Sequence, residues 1–384
     1  MATLLHESNT YSANPQWDDV TPIPQVEPEG ALAAIAYPED YAEGSFTLVL
    51  LADLNVHPVS AVEEEVVASM SYLRAVMAAK ELSRRCLGLT EHIISMNPAH
   101  YTVWLYRFEN VEALGILIPD ELAWLNEVSL MHLKNYQIWH HRQQLIDHYY
   151  PTLIDNDEGK EGNKDTPSSS SSPTRQQYPN EKVAALAASE RAFLTQMLEQ
   201  DTKNYHVWSY RQYLVRKLGA FGDPAELRSI EALVDEDVRN NSAWSHRFFL
   251  AFSDPVHTTP GSHATEHDPA VPAAIVDREV AYAQAKIGLA PQNQSPWNYL
   301  RGALVKGGRA LGSVRAFAEG FVEGLGEGDE KERVRSSHAL DLLAVIYKEA
   351  GERERADLCL RRLGDKWDRI RKGYWEYRRR LLDS

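Results

Sequence analysis

One line of residues returns along this chain at near-fixed spacing, and it limits the possible folds more than any other feature. Asn97-Pro98-Ala99-His100-Tyr101-Thr102-Val103-Trp104-Leu105-Tyr106-Arg107 is followed by Lys134-Asn135-Tyr136-Gln137-Ile138-Trp139-His140-His141-Arg142. It returns as Lys203-Asn204-Tyr205-His206-Val207-Trp208-Ser209-Tyr210-Arg211 and as Arg239-Asn240-Asn241-Ser242-Ala243-Trp244-Ser245-His246-Arg247. Asn293-Gln294-Ser295-Pro296-Trp297-Asn298-Tyr299-Leu300-Arg301 is a looser copy with its arginine one place late, and Tyr374-Trp375-Glu376-Tyr377-Arg378 reads as a sixth. Trp104 and Trp139 are 35 residues apart, and Trp208 and Trp244 are 36 apart. A period of this length accommodates two antiparallel helices and two turns, the unit of tetratricopeptide-like repeat proteins.

The segments between the tryptophans agree with an all-α chain of helical hairpins. Leu82, Cys86, Leu89, Ile93 and Met96 step by four and three, the stripe of a helix with one buried face. Leu227, Ile230 and Val234 do the same. The asparagine ahead of each Trp helix is a candidate N-cap, accepting from free N–H groups of the first turn. Trp and Arg three apart are neighbours on a helix. Such an arginine is expected to stack on an aromatic face or to bind a loop carbonyl. Trp104, Arg107, Trp208, Arg211, Trp244 and Arg247 are therefore read as repeat core.

The spacing breaks in two places. Trp139 to Trp208 spans 69 residues, and most of the excess is residues 155–180, with five consecutive serines at Ser168–Ser172 and Pro167, Pro173 and Pro179 around them. That composition cannot bury a core and reads as a disordered insertion. Trp244 to Trp297 spans 53, with a Pro/His/Thr-rich loop insertion at 254–273. The core repeats run over about 70–384 of a single domain, 1–384.

Formal net charge is −15. Such a chain repels a nucleic-acid backbone and an anionic membrane surface, so neither is expected as a general partner. Cys86 and Cys359 are the two cysteines, far apart in sequence, which fits a reducing compartment rather than a disulfide scaffold. The N-terminal Met1-Ala2-Thr3-Leu4-Leu5-His6 has no basic region of the signal-peptide type. Phe46 to Leu54 is too short to span a membrane and contains Asp53. The expectation is a cytoplasmic protein without a membrane span.

No self-sufficient active site is legible. His140 and His141 are adjacent, about 100° apart round a helix, so one metal cannot take both. His257, His263 and His267 fall in the second insertion. Gly-rich phosphate loops, Gly-x-Ser-x-Gly and His-Glu-x-x-His are lacking. No metal site is expected in this chain.

The copies resemble the prenyltransferase α-subunit repeat, Asn-x-x-x-Trp-x-x-Arg, from about Trp17 to near the C-terminus apart from the insertions. Trp17-Asp18-Asp19-Val20-Thr21-Pro22-Ile23-Pro24-Gln25 is similar to the entry segment of that family, and Tyr72-Leu73-Arg74-Ala75-Val76 to its first helix. Lys134-Asn135-Tyr136-Gln137-Ile138-Trp139-His140-His141-Arg142 is similar to the α subunit shared by protein farnesyltransferase and type-I geranylgeranyltransferase. The Rab geranylgeranyltransferase α subunit tends to carry Ser and Gly where Asn135 and Gln137 stand. The resemblance implies a right-handed superhelical crescent of hairpins around a β subunit in an obligate heterodimer. It implies that the β subunit holds the catalytic zinc, that the complex uses magnesium, and that farnesyl or geranylgeranyl passes from its diphosphate to a cysteine of CaaX-ended proteins. Lys134 is expected to reach the diphosphate, Tyr136 to line the shared cleft and Gln137 to bind the terminal carboxylate of the protein substrate. Tyr205 and His206 are expected to line the cleft from the next repeat. The alternatives are a Rab-type α subunit and a non-catalytic helical-repeat scaffold.

Residues 44–69 depart from this pattern. Tyr41-Ala42-Glu43 would continue directly into Met70-Ser71-Tyr72, whereas the intervening piece has a strand-like run, Phe46–Leu51, and then Pro58. A retained intron and a genuine loop insertion both account for it.

Overall fold

The computed structural model describes residues 11–25, 61–155, 178–328 and 330–382. Among them are fifteen α-helices and one two-residue antiparallel ribbon, Val322–Glu323 against Arg333–Val334. The chain divides into two compact units, Met1–Asn163 and Lys164–Ser384.

The first unit holds α1 (Ala61–Ala78), α2 (Arg84–Met96), α3 (Tyr101–Ala113), α4 (Ile118–Met131) and α5 (Tyr136–Asp155). α2 packs on α3, and α4 on α5. The second unit holds α6 (Glu181–Gln200), α7 (Tyr205–Leu218), α8 (Pro224–Glu236), α9 (Asn241–Phe252), α10 (Ala273–Leu289) and α11 (Gln294–Lys306). These also form hairpins: α6 with α7, α8 with α9 and α10 with α11. A short α12 (Arg315–Glu319) leads to α13 (Ser337–Glu349), α14 (Arg353–Arg362) and α15 (Lys372–Arg380). The all-α hairpin repeat read from the tryptophan spacing is the fold of both units.

Each of the five hairpins turns over four residues: 97–100, 132–135, 201–204, 237–240 and 290–293. In every one the fourth N–H donates to the first carbonyl, at 2.8–3.3 Å. The Trp helix then starts at the fifth position. At four of the five turns the indole N–H is seen to donate back to the second carbonyl: Trp104 to Pro98, Trp208 to Thr202, Trp244 to Val238 and Trp297 to Pro291, at 2.8–2.9 Å. The tryptophan thus fills the groove with its ring and also closes the turn, which phenylalanine could not do.

The capping expectation holds at Asn204, Asn240 and Asn293, which accept from N–H groups of the first helical turn. It fails for Asn97. His100 stands at that position without a side-chain cap, and Asn97 instead occupies the first place of the turn, as Asp201 and Asp237 do. Cys86, Leu89 and Ile93 are buried as their stripe implies, but Leu82 precedes α2 and is exposed. Met96, at the far end, is only half-buried.

Before α1, Tyr11 and Trp17 clasp Tyr72, with ring centroids 5.2 and 5.5 Å away. α1 begins at Ala61, so the last nine residues of 44–69 are helical, while Phe46–Leu51 and Pro58 lie outside the described residues. So does most of the Ser/Pro-rich insertion. The 254–273 loop is organised around two buried charges. Asp268 accepts from the Thr259 N–H at 3.0 Å and its hydroxyl at 2.7 Å, and stands 3.5 Å from Lys306 Nζ. Lys306 also donates to Ser262 and to the His263 carbonyl.

Candidate functional site

The turn 132–135 and the start of α5 bring Lys134, Tyr136 and Gln137 together. Lys134 is the exposed third residue of the turn. Asn135 accepts the Gln137 backbone N–H at 2.8 Å and so fixes the first helical turn. Tyr136, the first residue of α5, is 60% exposed, whereas Gln137 behind it is buried. A cation and a phenol are thereby exposed at the start of α5, with a buried amide next to them in sequence.

Tyr205 and His206 stand at the same register in the second unit. Tyr205 opens α7 and is exposed, His206 is half-buried, and their rings meet edge to face at 5.7 Å. Tyr101, at the equivalent place in the first hairpin, is exposed as well. It was legible in the repeat alignment as the tyrosine three before Trp104 but was not singled out there.

What holds these helix starts in place is a set of buried acids that the sequence did not announce. Arg107 pairs with Glu121 on the next hairpin, at 2.6 and 2.8 Å. His141, from the second helix of that hairpin, meets the same carboxylate at 3.0 Å. In the second unit Glu226 takes Arg211 at 2.6 Å and His246 at 2.9 Å, and Glu279 takes Arg247 at 2.6 Å and Tyr299 at 2.7 Å. Each glutamate thus joins an arginine of the preceding hairpin to a His or Tyr of its own. The late arginine of the fifth copy does the equivalent: Arg301 reaches Asp341 on α13 at 2.9 Å. Aromatic stacking of the repeat arginine is also found, with Arg107 3.5 Å from the Trp124 ring centre and Arg247 3.4 Å from that of Tyr282. Glu121 and Glu279 each stand three residues before the ring that their arginine stacks on, Trp124 and Tyr282, whereas Glu226 is followed at that distance by Ser229, so the pair is no general signal.

The electrostatics of these clasps are one-directional. Burial holds the His141 and His246 pKa values below the usual histidine range, and the neighbouring glutamates only partly offset it. Burial alone would raise Glu121, but the His141 hydrogen bond and the Arg107 charge outweigh it and hold the carboxylate below its usual range. Glu226 behaves the same way, with the Arg211 charge as its chief opposing influence. The histidines are therefore neutral Nε2–H donors, and Nδ1 of each is buried without a partner.

No group of three or more His, Cys, Asp or Glu among the described residues is placed to hold a metal ion. His140 is exposed while His141 is buried, as their angular separation requires. Cys86 and Cys359 are buried free thiols, and burial pushes Cys359 up to about 12, far from a nucleophilic thiolate. A groove of about 290 Å³ on the second unit is lined by Asp235, Asp237, Arg239 and Lys286 and contains none of the predicted site residues. No described helix is long and apolar enough to cross a membrane.

The family described as "Protein prenyltransferase alpha subunit repeat" matches residues 84–114, 118–149, 187–218, 223–253 and 276–306, the five hairpins above. The chain belongs to that family of helical-repeat subunits. Among its relatives, the protein farnesyltransferase/geranylgeranyltransferase type-1 subunit alpha of Candida albicans is 33% identical over 96% of this chain and 97% of its own. The geranylgeranyl transferase type-2 subunit alpha of Mus musculus is 27% identical, over 58% of this chain and 34% of its own. A solved structure, Candida albicans protein geranylgeranyltransferase-I complexed with GGPP, aligns with a TM-score of 0.68 and 30% identity over 95% of this chain and 97% of that one.

Proposed function

We propose that this chain is the α subunit of a heterodimeric CaaX protein prenyltransferase, which transfers farnesyl or geranylgeranyl from its diphosphate to a cysteine near the C-terminus of a substrate protein. The observation that carries this reading is the end-to-end likeness to a type-1 α subunit, 97% of whose length is matched. The likeness to the type-2 subunit covers about a third of that protein, which favours the type-1 reading.

The chain's own residues fit an assisting role. They offer a lysine, a phenol and an amide at the start of one helix, and no metal cluster among the described residues. In this reading zinc and most of the isoprenoid pocket belong to the β partner, and magnesium accompanies the diphosphate. Lys134 stabilises charge that grows on the departing diphosphate. Gln137 donates to the carboxylate of the protein substrate without adding a charge, and Tyr136, Tyr205 and His206 line the cleft.

The test is co-expression with candidate type-1 β subunits, followed by prenylation of CaaX peptides ending in Ser or Leu. Transfer by the co-purified pair and none by either chain alone is expected. A monodisperse single chain that prenylates peptides unaided, or failure of every β subunit to co-purify, overturns the reading.

A further inference from the structure

We propose that the C-terminal helix carries a docking surface for an anionic phospholipid bilayer. Tyr374 and Tyr377, three residues apart, share one side of α15, and Ile370 and Leu381, four residues before and after them, stand in the turns at its two ends. All four are exposed, and Ile370 is completely so. The helix is fastened from its other side. Trp375 is buried with its indole N–H on Asp368, Arg379 pairs with Asp357 at 2.7 Å, and Lys348 donates to the Leu381 carbonyl at 2.8 Å. The apolar stripe is thus left uncovered by its own unit.

Cations flank the stripe. Residues 361–380 contain nine Lys or Arg against three Asp or Glu, in a chain whose net charge is −15. Arg371 is paired with Asp368 and Arg378 with Asp341, but Arg369 and Arg380 are exposed and have no carboxylate partner among the described residues. Acidity elsewhere in the chain is screened beyond about 8–10 Å at ordinary ionic strength, so the local sign decides what this surface attracts. The repulsion of anionic membranes expected from the whole-chain charge is an average that this patch escapes.

A bilayer suits the patch better than a protein groove. Four side chains offer far less than the roughly 800 Å² per partner of a stable protein interface. Attachment to a bilayer instead grows with each inserted side chain and each cation near the headgroups. Tyrosine beside arginine and a fully exposed isoleucine matches the boundary between headgroups and acyl chains. Nucleic-acid phosphates would attract the arginines but give Ile370 nothing to enter.

The heterodimer is sedimented with vesicles of phosphatidylcholine alone and with vesicles containing phosphatidylserine as the minority lipid. Binding to the second kind only, weakened by salt, is expected. Arg369→Gln with Arg380→Gln should lower vesicle affinity roughly twenty-five-fold, at about a factor of five per lost charge. Ile370→Glu should abolish binding while heterodimer yield and thermal melting stay as in the parent. The readout is binding, so its result is separate from whether the pair transfers a prenyl group. Absence of sedimentation, equal sedimentation with both vesicles, or indifference to Ile370→Glu overturns the proposal. Loss of the heterodimer in Ile370→Glu overturns it as well and assigns the stripe to a protein partner.

Discussion

Arg107 and Glu121 form a two-pronged buried ion pair, Nε to Oε1 at 2.6 Å and Nη2 to Oε2 at 2.8 Å, that joins the second helix of one hairpin to the first helix of the next. Apart from this carboxylate, the Arg107 guanidinium meets Thr90, the Leu87 carbonyl and the Trp124 ring, none of which carries a counter-charge, so Glu121→Ala leaves a buried charge without a counter-ion. Breaking such a pair from one side typically costs about 3–5 kcal/mol. Denaturant unfolding of the variant should register a loss in that range. A loss under about 1 kcal/mol would mean that the clasp is incidental to the stacking of the hairpins.

The histidines on these clasps predict an acid-sensitive fold. His141 faces Glu121, Arg107 and His140, and His246 faces Glu226, Arg211 and Arg216; both titrate below the ordinary value of 6.5 because they are buried. Below pH 6.5 the unfolded chain takes up protons that these folded histidines refuse, so stability falls as pH falls. The slope should reach about 1.4 kcal/mol per pH unit for each histidine until its depressed folded pKa is passed. Glu121 and Glu226, held low when folded, add a second loss as pH drops below the usual glutamate value of 4.5. Melting curves between pH 7.5 and 5.5 check the first window, and His141→Gln should flatten it. A melting temperature independent of pH in that window refutes the assignment of neutral, buried imidazoles.

Much of this architecture could be read from the tryptophans, because ring size, helix period and turn length are all local. The five turns of four residues follow from a constant offset between the capping position and Trp. The glutamate clasps were not legible for a physical reason. Glu226 and Glu279 each have partners on two other helices, 15 to 32 residues distant, and in a single sequence an isolated acid looks like any solvated surface residue. The anchoring of the 254–273 loop was hidden in the same way. Its Pro/His/Thr composition marks a loop insertion but not what holds it, and Asp268 and Lys306 anchor it from 38 residues apart. The expected site residues rest on the family resemblance alone, since Lys134 by itself is an ordinary exposed turn lysine.

That anchoring gives a prediction for the loop. Asp268 accepts from Thr259 twice and from the Ala270 N–H, and it faces the buried Lys306 ammonium. Asp268→Ala removes all four contacts and strands the lysine. Limited proteolysis should then cut within 254–272 several-fold faster than in the parent, with the hairpin α8–α9 still protected. Unchanged cleavage would show that Val271, packed in the neighbouring apolar cluster, holds the loop without the charges.

The start of α5 gives the test of chemistry, because one short stretch carries three residues with different expected jobs. Lys134 is exposed and Gln137 buried, only three positions apart, and Trp139 lies behind both in the core. In the heterodimer, Lys134→Ala should mainly lower kcat, since the charge it meets grows as the C–O bond to diphosphate breaks. Loss of one such donor typically costs ~2.7–4 kcal/mol of barrier, and cations of the β partner reduce that. Gln137→Ala should mainly raise KM for the peptide, because a carboxylate is bound alike in ground and transition states. A lost hydrogen bond to a charged group corresponds to roughly 1.5–3 kcal/mol. Trp139→Ala should instead lower the melting temperature, as removal of a core aromatic costs ~3–5 kcal/mol. Steady-state kinetics and thermal melts on the three variants with one β subunit separate these outcomes. If Lys134→Ala melts and turns over like the parent, Lys134 is a turn residue and the diphosphate is met by the partner alone. If Gln137→Ala lowers the melting temperature as much as Trp139→Ala while KM stays put, its amide serves the packing of α5 and the carboxylate is held elsewhere.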